Sequence, residues 1–414
     1  MEEVEADEQI IIDVESVEPS VGIVNAVTGM ERVVGKWTLN KEQKRAFEIV
    51  ARHTAKEKPE QLLMYLGGQG GTGKSRVVNA LREFFKLRNE SRRFRLSAYT
   101  GIAARNIGGA TLHVLLHMNE SGKKASAKAK RDLAAMWDGV DYLFIDEVSM
   151  ISCDMLHNIS SRLTEVKGKT VAFGGVNVIF AGDFAQLPPI SDVRLYKDVN
   201  TSGVSAGSTN WAQAKILGRL LWLSVETVVI LHETMRQTGP ENEDFVNLLR
   251  RLRSGVCTSN DYAILNGRLM RNARVDPNEG WQSAPIIVAT NAMRDAINFR
   301  AKMDFTERTG RVLHWYHALD THKNVMIMDP VLIESLEGQN SGQTKHSLRR
   351  ILLVMGMPIS INQNFDVKAG VVNGSWGFLR AVRYSENKEG QQYLRSCVVE
   401  IPGADSSQCD RSEV

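Results

Sequence analysis

Apolar residues first fall into a regular pattern near Trp37, after a polar and acidic stretch. Leu62–Leu66 (LLMYL) is a short apolar run that meets glycines at once, which predicts a buried strand entering a turn. Beyond Ser75, the residues Val77, Val78, Leu81, Phe84 and Phe85 draw one stripe down a helix. The local order is therefore strand, Gly-rich turn, helix. Phe94–Tyr99, Tyr142–Ile145, Val176–Phe180 and Pro285–Ala289 predict further strands, with helical stretches between some of them. Phe245, Leu248, Leu249 and Leu252 form a second helical stripe, closed by Ser254 and Gly255. Buried strands alternating with helices imply an α/β fold with a parallel sheet. A boundary is expected near residues 225–240, followed by a second α/β block. After Ile351 the pattern changes to shorter β-like pieces and turns such as Asn373-Gly374.

Composition narrows the class. At 414 residues, 43% hydrophobic and 24% charged, the chain reads as a globular protein of two or three domains. Collagen-like, coiled-coil and fully disordered readings are excluded. No uncharged apolar stretch reaches ~18 residues, so no membrane span is expected. The N-terminus has no basic n-region and no Arg-rich amphipathic pattern, so neither signal nor transit peptide is expected. Cys153, Cys257, Cys397 and Cys409 form no CxxC pair, which favours a reducing intracellular compartment. Residues 1–20 hold eight acids and no Lys or Arg, which leaves 51 basic and 40 acidic residues, or +11, for the rest. A basic body behind an acidic, flexible lead-in (1–36) is compatible with a polyanionic partner. Residues 121–132 (SGKKASAKAKRD) and 88–95 (RNESRRFR) concentrate the positive charge.

Three segments carry chemistry. Gly68-Gln69-Gly70-Gly71-Thr72-Gly73-Lys74-Ser75 fits G-x-x-x-x-G-K-[ST] at every fixed position, between a strand and a helix. Its glycines let backbone N–H groups turn inward around phosphate oxygens, and the helix N-terminus adds positive potential. Lys74 is placed for the β- and γ-phosphates and the Ser75 hydroxyl for Mg²⁺. Next, the run Leu143-Phe144-Ile145 ends in Asp146-Glu147. Asp146 suits the hydration shell of Mg²⁺, and Glu147 suits polarisation of an attacking water. Binding alone needs only the Asp, so the following Glu argues for hydrolysis. Third, Val178–Phe180 leads to Gln186 in a loop stiffened by Pro188 and Pro189. An amide there can sense a γ-phosphate; a plain surface loop is the alternative.

Together these segments resemble the Pif-like DNA helicases of helicase superfamily one, including those of Helitron-type transposons, from about Trp37 to about Glu400. Leu39-Asn40-Lys41-Glu42-Gln43 is similar to the family's Gln motif, in which Gln43 would meet adenine. Thr100-Gly101-Ile102-Ala103-Ala104 with Gly109-Ala110-Thr111-Leu112-His113 resembles the segment that touches single-stranded DNA. Val114 stands where the family usually has Ser. DEVSM (146–150) and GDFAQLPP (182–189) are close to family forms, and Leu231–Gln237 resembles the segment in which Arg236 would be an arginine finger. Asn373–Gly377 resembles the NGxxG segment that follows a G-x-P strand, here Gly356–Pro358.

The resemblance implies a first recombinase-like domain at 37–225, with a small wedge insertion near 112–138 that would hold Lys128 on DNA. A partial second recombinase-like domain would span 226–401, supply Arg236 across a cleft, and precede a disordered tail (402–414). It implies ATP and Mg²⁺ as cofactors, and single-stranded DNA and duplex junctions as partners. It further implies a monomeric, 5′-to-3′ motor in the nucleus, or in mitochondria for other isoforms. Repair, recombination, telomere maintenance and transposition all use such motors. The family's last motifs, with Lys-Ser-Gln-Gly and Ala-Leu-Ser-Arg cores, do not occur in these 414 residues. Nucleotide binding is therefore expected to persist and unwinding to be impaired. A non-catalytic ATP- and DNA-binding remnant, or a P-loop ATPase acting on protein, are the alternatives. His314-Trp315-Tyr316-His317 has the spacing of two ligands on one helical face, but nothing accompanies it, and a metal site is not expected.

Overall fold

The computed structural model describes residues 25–118, 126–190, 192–198, 210–237, 239–269, 284–322 and, with short gaps, 325–402. The chain divides into two units, residues 1–99 with 107–246 and residues 100–106 with 247–414. The first unit opens with α1 (Ala26–Trp37), α2 (Lys41–Thr54), β1 (Leu63–Gly68), α3 (Lys74–Leu87) and β2 (Phe94–Ala98). After α4 (Gly101–Asn106), which groups with the second unit, come β3 (Ala110–Thr111), α5 (Leu112–Leu115), α6 (Ala127–Trp137) and β4 (Tyr142–Asp146). α7 (Cys153–Lys167), β5 (Asn177–Gly182), α8 (Asn210–Leu223) and β6 (Thr227–Leu231) complete it.

Its strands form one six-stranded sheet in the order β3-β2-β4-β5-β1-β6, and every pairing is parallel. The predicted apolar runs become its centre because strands covered on both faces must be apolar on both faces. Every residue of β5 is buried. On one face, Leu143, Ile145, Val178 and Phe180 join Leu133, Trp137, Leu156, Ile159 and Leu163 of the helices. On the other, α2 and α3 bring Phe47, Phe84 and Phe85, with Phe85 against Tyr142 at 5.4 Å between ring centroids. Each such ring contributes ~1.5–3 kcal/mol by leaving water. The register brings strand ends level: Gly67 faces Gly182, Gly68 faces Leu231, and Ala98 faces Asp146. The carboxyl ends of β1, β4, β5 and β6 therefore share one edge of the sheet.

Several expectations are revised here. The lead-in was expected to reach residue 36, yet α1 packs on α3: Val33 is buried and Trp37 Nε1 donates to Glu83 at 2.7 Å. Residues 1–24, like the tail from 403, lie outside the described residues. β6 pairs with β1, so residues 226–246 belong to the first unit and not to a second domain. The basic segment near 112–138 is not a separate wedge among its described residues. Leu133 and Trp137 of α6 are buried in the main core, and Lys130 pairs with Glu165 of α7.

The second unit continues with α9 (Glu243–Ser254), which begins in the first, then α10 (Ser259–Gly267) and α11 (Asn291–Thr309). There follow β7 (Leu313–His317), β8 (Thr321–His322), β9 (Val325–Met326), α12 (Pro330–Glu337), β10 (Arg350–Val354), β11 (Pro358–Ser360), β12 (Trp376–Glu386) and β13 (Gln392–Glu400). A five-stranded sheet runs β10-β7-β13-β12-β11, antiparallel except between β13 and β7. β12 and β13 are long, where the sequence predicts shorter β pieces after Ile351. Pro285–Ala289 is not a strand: Ile287 is 97% exposed, and an apolar run without a neighbouring strand has no ladder to join. The His314–His317 stretch lies in β7 rather than a helix. Residues three apart then face opposite sides of the sheet, and the two rings share no face.

One buried pair makes stability depend on pH. His53 Nε2 lies 2.7 Å from Glu60 O, which only accepts, so Nε2 carries the proton. Nδ1 then accepts from Tyr142 Oη at 2.8 Å. Burial holds the imidazole below its ordinary pKa and pushes the Tyr142 hydroxyl up to about 12. The folded pKa of His53 is thus depressed. Its neutral form stabilises the fold above the unfolded-state value near ~6.5, and that contribution is lost as pH falls below it. Urea unfolding from pH 8 to 5 is expected to show the wild type losing up to ~1.4 kcal/mol per pH unit more than His53→Leu. Parallel curves would contradict this.

Candidate active site

The carboxyl edge of the first sheet gathers the chemistry. β1 ends in the Gly-rich loop, where Gly71 and Gly73 have φ of 90° and 87°, left-handed values that glycine adopts freely. Thr72 Oγ1 closes the loop on Gln69 O at 2.8 Å. Lys74 Nζ donates to Gly68 O at 2.6 Å and Gln69 O at 3.3 Å, so its ammonium is folded back over the cradle. Ser75 follows in the first turn of α3. A side chain on Gly73 would overlap Gln43 Nε2, because the α2 amide lies against the loop. Gly73→Ala is expected to weaken nucleotide affinity about tenfold or more, since it adds backbone strain of ~1–3 kcal/mol to a steric clash. Isothermal titration with ADP checks this, and unchanged affinity would remove the loop from the site.

Gln43 is wholly buried. Its Nε2 donates to Thr72 O at 3.0 Å, while its Oε1 accepts from Asn40 N in the capping box that starts α2. The amide is thus a strut between helix and loop, whatever further contact it makes.

β4 delivers Asp146 and Glu147. Asp146 Oδ1 accepts from the Glu147 N–H at 2.9 Å. Glu147 sits at φ 56°, ψ 43°, a left-handed conformation costly for a residue with a side chain. Gly182, at the end of β5, makes room: a Cβ there would stand 3.0 Å from Val148 N. Burial pushes the Asp146 carboxyl above its ordinary range, opposed by the Glu147 N–H and the charge of Lys74. Burial also raises Glu147, helped by the charge of Asp146 and again opposed by Lys74. Lys74 therefore acts on both carboxylates. Ser75 and Asp146 supply a hydroxyl and a carboxylate, hard oxygen donors that suit Mg²⁺, which binds through one or two protein groups plus phosphate oxygens. Among the described residues no cluster of three His, Cys, Asp or Glu forms a fuller metal cage.

β5 is followed by Asp183 and Gln186. Asp183 is buried; its Oδ1 accepts from Ala185 N at 3.1 Å and its Oδ2 from Gln186 Nε2 at 3.4 Å. Gln186 Nε2 lies 3.4 Å from where a Cβ on Gly70 would be. The sequence pointed to Gln186 but not to Asp183, which holds it; the signal was an acid three residues upstream.

β6 brings Arg236. Met235 N donates to Gly71 O at 2.8 Å, and the Arg236 Cβ lies 2.9 Å from the position of a Cβ on Gly71. Arg236 was expected to cross from a second domain. It comes instead from the unit that holds the loop, because β6 joins the same sheet edge. Lys74, Glu147, Gln186, Arg236 and Gln43 are thus all carried by one unit.

The nucleic-acid candidates fall in both units. Thr100 Oγ1 accepts from Ala103 N at 3.3 Å at the start of α4, beside Gly101, and both residues group with the second unit. Thr111 Oγ1 caps α5, accepting from Val114 N at 3.4 Å. His113 meets the edge of Tyr99 at 6.2 Å between ring centroids. Lys128 is exposed in the first turn of α6.

A parallel sheet with a phosphate cradle after β1, paired carboxylates after β4 and an anchored glutamine after β5 is the arrangement of a P-loop nucleotide-binding fold. The chain belongs to the PIF1-like helicase family, whose model matches residues 38–263, more than half of its length. It is 27% identical over 344 residues to the ATP-dependent DNA helicase PIF1 of Xenopus laevis, covering 80% of this chain and 46% of that one. The Homo sapiens protein of the same name is 25% identical over 325 residues, 76% of this chain and 43% of that one. The chain thus spans about half the length of the curated relatives it matches. Among solved structures, Pif1 helicase from Bacteroides in complex with ADP-AlF3 and ssDNA aligns with TM-score 0.53 and 21% identity, over 88% of this chain and 79% of that one. Pif1 helicase from Candida albicans aligns with TM-score 0.54 and 19% identity, over 88% and 78%. Those two likenesses concern the fold. Among the described residues no helix is long and apolar enough to cross a membrane.

Proposed function

We propose that this chain is the motor part of an ATP-dependent DNA helicase, hydrolysing Mg-ATP to move along single-stranded DNA. The observation that carries the reading is the arrival of Glu147, Gln186 and Arg236 at the sheet edge that holds the Gly-rich loop. The loop amides and the start of α3 would bind the phosphates. Lys74 would leave the Gly68 and Gln69 carbonyls for the β- and γ-oxygens. Ser75 and Asp146 would hold Mg²⁺, which neutralises phosphate charge when bound. Glu147 would orient a water and accept its proton. Gln186, steadied by Asp183, would contact the transferring phosphoryl, and Arg236 would stabilise its charge.

For DNA, family membership supports a 5′-to-3′ track at single strands and duplex junctions, and a nuclear setting. Thr100, Gly101, Thr111 and His113 would touch the strand, and Lys128 would meet a phosphate. Anisotropy titrations with labelled single-stranded DNA are expected to show His113→Ala and Lys128→Ala each weakening binding about three- to tenfold. Lys128→Ala would also lower the log–log salt slope by ~0.7, the loss of one phosphate contact. Unchanged affinity and slope would take these residues out of the interface.

A further inference from the structure

α2 touches the site twice in consecutive residues. Gln43 holds the Gly-rich loop through Thr72 O. Glu42, its neighbour, turns to the chain that leaves β6: one carboxylate oxygen accepts from the His232 N–H at 2.6 Å, and the other from His232 Nδ1 at 2.8 Å. Asn40 adds a third tie. Its Oδ1 caps α2 by accepting from Gln43 N, and its Nδ2 donates to Glu233 Oε2 at 2.8 Å. Four residues beyond His232 comes Arg236, fixed in between by the Met235 N–H on Gly71 O. The hydrogen bonds from His232, chiefly its backbone N–H, hold the Glu42 carboxyl below its ordinary range, so it is an anion that accepts two bonds.

We infer that Glu42, with Asn40, is a positioning residue for Arg236: the first turn of α2 clasps the β6 exit and sets the register of the arginine against the Gly-rich loop. The clasp rests on the hydrolytic reading above and assigns a new role within it. Its ends are far apart in sequence, 190 residues for Glu42 and His232 and 193 for Asn40 and Glu233, so these ties depend on the tertiary fold. Thr234 Oγ1 is buried with no hydrogen-bond partner. A segment that keeps such a hydroxyl stays in place only where its other bonds hold it. The same helix turn thereby joins loop and arginine. A shift of one is transmitted to the other through two adjacent side chains.

The test uses the whole chain and three variants. Glu42→Ala removes both acceptors and Glu42→Gln keeps one. Asn40→Asp keeps the helix cap while replacing the donor to Glu233 by a like charge. Hydrogen exchange is expected to speed up about tenfold at the amides of 231–237 in Glu42→Ala, while the core of α2 stays protected. ATP turnover would fall about tenfold with ADP affinity held within about twofold, Asn40→Asp would behave alike, and Glu42→Gln would recover most of the rate. Unchanged exchange at 231–237, or affinity and turnover falling together, would overturn the clasp. If the wild type turns over no ATP, the hydrolytic reading fails, and the exchange result alone still decides whether Glu42 holds the segment.

Discussion

Glu147→Gln is expected to slow ATP turnover by ~10²–10⁴-fold, the usual contribution of a general base. ADP affinity would stay within about threefold, because the amide is isosteric and the Gly-rich loop is untouched. Glu147 has a backbone held left-handed, beside a glycine that cannot be enlarged without meeting Val148 N. Strain kept at a charged residue next to a phosphate cradle points to chemistry. Its neighbour is already engaged with the Glu147 N–H and suits the metal. A variant that kept near-normal turnover would show that another group takes the proton.

Arg236→Ala is expected to lower turnover by ~10²–10³-fold, the loss of one preorganised donor to the transferring phosphoryl. Arg236→Lys would rescue little, since an ammonium lacks the planar fork. The placement of Arg236 adds a sharper expectation. An arginine delivered across a moving cleft helps only when the cleft is closed. One held beside Gly71 by its own sheet is present throughout. Basal and DNA-stimulated rates are therefore expected to fall by the same factor, within about threefold. A deficit confined to the stimulated rate would mean that the arginine must be brought in.

Much of the first unit was legible in sequence. LLMYL, YLFI and, apart from Asn177, VNVIF are apolar without alternation, as strands covered on both faces must be, and the glycines and lysine of the loop announce themselves by spacing. What failed was non-local. Thr227–Leu231 has a strand composition, but nothing in it says that it pairs with β1, so the domain boundary and the origin of Arg236 were misplaced. Pro285–Ala289 has the same composition and forms no strand, because pairing depends on a neighbour. α1 hid behind the acidic residues before it; its burial comes from α3, through Val33 and the Glu83 contacts of Lys36 and Trp37. Glu42 and His232 drew no role from the sequence for a related reason: they meet across 190 residues, and such a partner has no spacing of its own.

The most direct measurement is steady-state ATP hydrolysis by residues 1–414, with and without single-stranded DNA, beside Lys74→Ala. The account predicts turnover that DNA stimulates and that Lys74→Ala abolishes, since the Lys74 ammonium lies on the cradle carbonyls and its charge acts on both carboxylates. Turnover indifferent to Lys74→Ala, or no turnover by a wild type that still binds ADP, would contradict it.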